Sequence, residues 1–227
     1  MHRFNSFTYI HKALRAMLYD TALAIQQTYF ADHSEAGIAI RKIEDVLYLV
    51  EQHAYHEDTG VLPAIEMFEP HIVEEFQEEH VTDLMMSDCL KHLLNMYKSA
   101  ENEADKLLCG SAISKAFVEF MVFNLEHMAK EEMLINPVLW KEYTDGQIEL
   151  INQKVVASTP AAEKTLSARW ILKGVNHIEA IQWLKSIKES VPPSLFEKIL
   201  RIAEDELPEL SREKVLDGLW EPGLIAV

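Results

Sequence analysis

Apolar residues recur along most of this chain at intervals of three and four, the spacing of helices with one face turned inward. Phe7, His11, Leu14, Leu18, Ala22 and Ile25 share a face and predict a first helix from about Ser6, as N-cap, to about Phe30. A second is expected over roughly 36 to 58, ending near Thr59, Gly60 and Pro63. Its stripe runs through Val46, Leu49 and Val50, then continues onto His53 and Glu57. Pro70 opens a third helix reaching about residue 99, with Val73, Phe76, His80, Leu84 and Leu94 inward. The fourth, roughly 103 to 134, aligns Phe117, Phe120, Asn124, His127, Glu131 and Leu134, and Pro137 is expected to close it. Four such helices with short connections predict an all-α fold: an antiparallel up-down four-helix bundle over 1–143. Residues 144–227 read as a C-terminal helical extension packed on the bundle, its starts marked by "YTDGQ", "STPAAE" and "VPPSLF".

The inward stripes carry polar residues, and they do so twice. "HAYHEDTGVLP" holds His53, Glu57, Asp58 and Pro63; "HMAKEEMLINP" holds His127, Glu131, Glu132 and Pro137 at the same offsets. Each follows a helix with one histidine on its apolar face: His11 precedes His53 by 42 residues, and His80 precedes His127 by 47. Residues i and i+4 of a helix lie about 6 Å apart along its axis on nearly the same side, so each His-Glu pair can address one volume. Four imidazoles and two carboxylates then suit two metal ions, with the glutamates free to bridge them. Iron fits mixed nitrogen and oxygen ligation, with manganese and zinc as competitors. The metal-free alternative is a buried ionic network in a helical interaction protein, with Arg15 as a counter-charge. Two buried carboxylates would burden such a core by several kcal/mol each.

The doubled pattern His11 … His53-x-x-x-Glu57 … His80 … His127-x-x-x-Glu131, with "EEHVTDL" and "EHMAKEEMLINPVL" around it, resembles the hemerythrin-like family of HHE cation-binding domains over about residues 5 to 140. The resemblance implies a four-helix bundle holding two iron ions bridged by carboxylates and an oxo or hydroxo group, with those six residues as ligands. One departure stands out. Oxygen-carrying hemerythrins have a second histidine one turn on in the third helix, where this chain has Leu84, and a last interval of five residues rather than four. Fewer protein ligands leave more exchangeable positions, which shifts the expectation from oxygen carriage toward redox chemistry or sensing. His56 is a candidate seventh ligand. Asp58 and Glu132 are expected to face water. The expected function is binding or sensing of dioxygen, nitric oxide or peroxide; a di-iron oxidase or peroxidase, and an iron store or iron-level reporter, are the alternatives.

Charge and cysteine usage narrow the partners. The chain has 227 residues and a formal net charge of −16, which disfavours nucleic acid and anionic membrane surfaces. No basic leader and no run of about 18 apolar residues is evident, so a cytoplasmic location is expected. Cys89 and Cys109 read as buried thiols, and a homo-oligomer is compatible with the sequence. His2, His33, His71, His92 and His177 have no matching partner; Met85, Met86, Met121 and Met128 read as core filling.

Overall fold

A computed structural model describes residues 3–220, so His2 and the outermost ends of the 1–143 and 144–227 divisions lie outside it. The described residues are helical throughout, without strands: α1 Thr8–Gln27, α2 His33–His56, a π-helical turn Glu57–Val61, α3 Leu62–Ile65, α4 Pro70–Ser99, α5 Glu103–Glu142, α6 Asp145–Ser158, α7 Ala161–Gly174, α8 His177–Ser190, α9 Pro193–Glu206 and α10 Glu209–Trp220. By contacts the chain divides into two units. One comprises Met1–Phe7 and Met17–Ser158, the other Thr8–Ala16 and Thr159–Val227, so the boundary falls inside α1.

In the first unit, α4 runs antiparallel to both of its long neighbours. Glu75 pairs with Lys130 of α5, and Asp83 with Asn124, while Glu44 of α2 pairs with Lys98 and Glu51 with Lys91. Caps explain several helix starts. Asp32 accepts from the Ser34 and Glu35 amides, and Asn102 from that of Asp105. Tyr97 fixes the opposite end of α4 by donating its hydroxyl to the Phe30 carbonyl at 2.7 Å. An apolar cluster of Phe7, Val61, Leu62, Ile65, Val73, Phe76, Ile135, Leu139 and Ile148 fills the end of the unit beside the π-turn. Arg3 ties the segment before α1 there, donating to the Trp140 and Tyr143 carbonyls at 2.7 Å each.

Several expected boundaries move. The N-cap of α1 is Phe7, not Ser6, and the helix stops at Gln27, three residues before Phe30. Thr59-Gly60 does not end the second helix; the chain loosens into a π-turn and continues to Ile65. Pro137 does not close the fourth helix either, because α5 carries it internally and runs on to Glu142. Leu84 is 47% exposed, and the residue turned inward one turn past His80 is Asp83, 4% exposed. Cys89 is exposed rather than buried, whereas Cys109 is buried. Met85 is also exposed, while Met128 is core. By length and composition α5 could cross a membrane, with a window of mean hydropathy 1.3, although its inward face carries the polar Asn124, His127 and Glu131.

The second unit is a set of short helices with their own core, including Trp170, Leu172, Ile181, Leu184 and Val215. The expected helix start at "STP" is present, but the helix breaks at Val175. There Asn176 begins α8 with a reciprocal capping box to Glu179. A Cβ on Gly174 would lie 2.4 Å from the Lys12 carbonyl oxygen, so glycine is what lets α7 approach the α1 backbone. Lys12 also pairs with Glu179, and Arg169 and Lys173 both pair with Glu206.

Candidate metal centre

The π-turn begins at the first of the two buried carboxylates. The Leu62 amide donates to the Glu57 carbonyl, a bond five residues long that widens the turn. Thr59 braces the outside, donating its hydroxyl to the Tyr55 carbonyl at 2.7 Å. Gly60 permits the packing on α6, since a Cβ there would stand 2.4 Å from Val155 Cγ2. Two consecutive side chains, Glu57 and Asp58, consequently reach the same ring on α4. Glu57 Oε2 lies 3.4 Å from His80 Nε2, and Asp58 Oδ1 lies 2.9 Å from His80 Nδ1.

Around this, the first unit brings five of the six expected residues together. Glu57 Oε1 faces His53 Nε2 at 3.2 Å while Oε2 faces His80. Glu131 repeats the division: Oε2 is 3.9 Å from His53 Nε2, and Oε1 is 2.9 Å from His127 Nε2 and 3.9 Å from His80 Nε2. Each carboxylate thus presents one oxygen to His53 and the other to the His80 and His127 side. Ligand atoms from Glu57, His80, His127 and Glu131 all lie within 4.8 Å of one another and are all buried. Such a cluster can hold a metal ion: imidazole nitrogens and carboxylate oxygens, converging and shielded from water, are the donors that first-row divalent metals take. His11 is fully buried on the first half of α1, in the stretch that groups with the C-terminal helices. His56 is half-buried, its ring set edge to face with that of Tyr55 at 5.7 Å between centroids, and is not among these converging ligand atoms.

Sequence reasoning missed a second layer. Asp58, expected to face water, instead holds His80 Nδ1, and Glu79 Oε2 holds His127 Nδ1 at 2.6 Å. Glu79 is in turn fixed by Lys130 at 2.5 Å. Rings close the space around His127, with Phe76 edge-on at 5.5 Å and Phe123 stacked at 6.0 Å. Behind His80 and His127, one turn along each helix, Asn124 Nδ2 donates to Asp83 Oδ1 at 2.7 Å and locks α4 to α5 in register. The only available signal for Glu79 and Asp58 was their position beside the motif residues. Which ring each would meet depends on helix rotation, and spacing does not report it.

Charge in the cluster is shared between rings and carboxylates. Burial works against a proton on His80, but the Glu131, Glu57 and Asp58 carboxylates outweigh it, and the ring is pushed up from 6.5 to about 11. His127 is raised in the same way, against burial, by Glu131 and Glu79. Part burial lifts the Glu79 carboxyl, yet Lys130 and His127 bring it below the usual range. Asp83 goes up because it is buried, with Asn124 offsetting only part of the shift. In the absence of metal, protons on the rings therefore supply the positive charge that the buried carboxylates require.

No family model, no curated protein and no solved structure matches this chain.

Proposed function

We propose that this chain is a hemerythrin-like non-haem di-iron protein, its first unit an antiparallel four-helix bundle that binds dioxygen or a related small species such as nitric oxide or peroxide. One observation carries the reading: Glu57 and Glu131 each direct their two oxygens at different imidazoles, as bridging carboxylates between two metal ions must. His80 and His127 are the nitrogen donors on one side, His53 on the other. The repeat in the sequence supplies the sixth donor, because His11 stands to His53 as His80 stands to His127. Bound iron would supply Lewis-acid and redox chemistry toward the small molecule.

The protein's own contribution is placement and seclusion. Buried Glu57 and Glu131 would hold the metal and offset its charge, while Phe76, Phe123 and the apolar cluster beside the π-turn keep bulk water away. Six protein donors for two ions leave exchangeable positions, which favours reaction or sensing over simple carriage.

The test is iron per chain in protein from iron-supplemented cells, with its absorption spectrum. About two irons and strong near-ultraviolet bands are expected, with both lost in Glu131→Ala and the His53 side emptied in His53→Ala and His11→Ala. Stopped-flow mixing of the reduced form with dioxygen, nitric oxide and peroxide then ranks the partners. A folded protein that takes up no metal would end this reading and leave a metal-free ionic core.

A further inference from the structure

His80 and His127 are each bracketed in the same way. A buried carboxylate faces Nε2, and a partly exposed carboxylate from a neighbouring helical element takes Nδ1: Asp58, 37% exposed, for His80 and Glu79, 24% exposed, for His127. An ionised carboxylate only accepts hydrogen bonds, so the proton of a neutral ring belongs on Nδ1 and the lone pair on Nε2. Nε2 is the nitrogen turned to Glu57 and Glu131. Neither outer carboxylate lies within the group of converging ligand atoms. Both are tied into their surroundings, Asp58 by the π-turn and Glu79 by its ion pair to Lys130.

We infer that Asp58 and Glu79 are positioning residues for the metal centre, selecting the Nδ1–H tautomer and fixing the ring orientation of His80 and His127 so that both present Nε2 to one metal ion. The inference rests on the proposed metal-binding function and extends it to two residues outside the ligand set. It also gives the π-turn a purpose. By widening the backbone after His56, the turn allows Glu57 and Asp58, adjacent in the chain, to contact opposite nitrogens of one imidazole. A uniform α-helix separates neighbouring side chains by about 100°.

Zinc makes a convenient diamagnetic probe. In zinc-loaded protein with 15N-labelled histidine, long-range 15N–1H spectra are expected to show His80 and His127 metal-bound through Nε2 and protonated at Nδ1. Competition against a chromophoric chelator should show Asp58→Asn and Glu79→Gln each weakening one of the two zinc-binding steps by about 10- to 100-fold. Asp58→Glu should recover part of the loss. Glu74→Gln removes a charge from the same helix as Glu79, but Glu74 is 74% exposed and lies 3.9 Å from the exposed His71, so it should match the parent protein. Metal bound through Nδ1 of either ring in the parent, or unchanged affinity in both amide variants, would overturn the inference. A parent that binds no zinc, iron or manganese would instead overturn the proposed function before the variants are compared.

Discussion

From His53 to Pro63 the chain passes through a π-helical turn; from His127 to Pro137, at the same offsets, it stays within α5 and runs straight on to Glu142. Both stretches deliver a histidine and a glutamate to the same cluster, so the ligand pattern is repeated and the backbone beneath it is not. The two differ at the residue seven positions after each histidine. Gly60 leaves room for Val155 of α6, whereas Leu134 packs against the apolar cluster. They differ again at the residue after each glutamate. Asp58, on the π-turn, turns to His80, while Glu132 lies half-buried on the straight run of α5. A duplicated motif can therefore be symmetric in chemistry and asymmetric in mechanics.

The largest expected effect strikes both halves at once, through His80. This ring faces Glu57 of the first half and Glu131 of the second, and in metal-free protein it titrates near 11 instead of 6.5. A pKa raised on folding means that the native state holds the proton more tightly than the unfolded chain. Its stabilisation is therefore complete below about pH 6.5 and is lost as pH rises toward 11. Metal-free protein should lose thermal stability steadily from pH 7 to 10, and His80→Gln should flatten that slope. Metal-loaded protein should be much less sensitive, since the ion replaces the protons; loading should release protons and tighten as pH rises from 6 to 8. Thermal melts with and without chelator, across pH, measure all of this.

Next comes a comparison of the two carboxylates. Glu131 approaches His53, His80 and His127 at 2.9–3.9 Å, and Glu57 approaches His53 and His80 at 3.2–3.4 Å; both are buried. Removing one member of a buried ion pair typically costs about 3–5 kcal/mol, because the partner remains buried and uncompensated. Glu131→Gln is expected near the upper part of that range in urea melts of metal-free protein, and Glu57→Gln lower. Equal losses would mean that the cluster is balanced as a whole and not through these particular contacts.

These contrasts mark how far the sequence could be read. The polar interruptions of apolar stripes led to His53, Glu57, His80, His127 and Glu131, because helical spacing alone makes each i, i+4 pair share a face. Pro70–Ser99 was equally legible, with proline at its first turn. Asp83 was hidden, since Leu84 fits the stripe by composition and only the rotation of α4 against α5 puts Asp83 inside, bonded to Asn124. Pro137 misled because a missing amide usually ends a helix, yet packing of Ile135 and Leu139 carries α5 past it. The π-turn had no local signature: its defining bond, from the Leu62 amide to the Glu57 carbonyl, is one residue longer than the α-helical pattern, and spacing does not report it. The start of α8 was missed, although Asn176 and Glu179 stand three residues apart, the spacing of the capping box they form.

The close packing of Gly60 on Val155 of α6 leads to the smallest and most selective expected effect. A methyl group at residue 60 would meet Val155 Cγ2 at 2.4 Å, well inside contact distance, so either the valine or the turn must yield. Overpacking of this kind costs about 1–3 kcal/mol. Gly60→Ala should lower stability by that amount in urea and weaken metal binding through the displacement of Glu57 and Asp58. The partner on α6 can be shortened to test the cause. Val155→Ala alone removes a partly exposed side chain and should cost little, while Gly60→Ala with Val155→Ala should recover most of both losses, giving a coupling energy above about 0.5 kcal/mol. Recovery of stability without recovery of affinity would separate the packing of the turn from its aim at His80. The corresponding change in the other half, Leu134→Ala, should cost stability through lost burial and leave metal affinity nearly unchanged. If instead it weakens metal binding as Gly60→Ala does, both halves transmit packing to the site, and the two halves are mechanically alike.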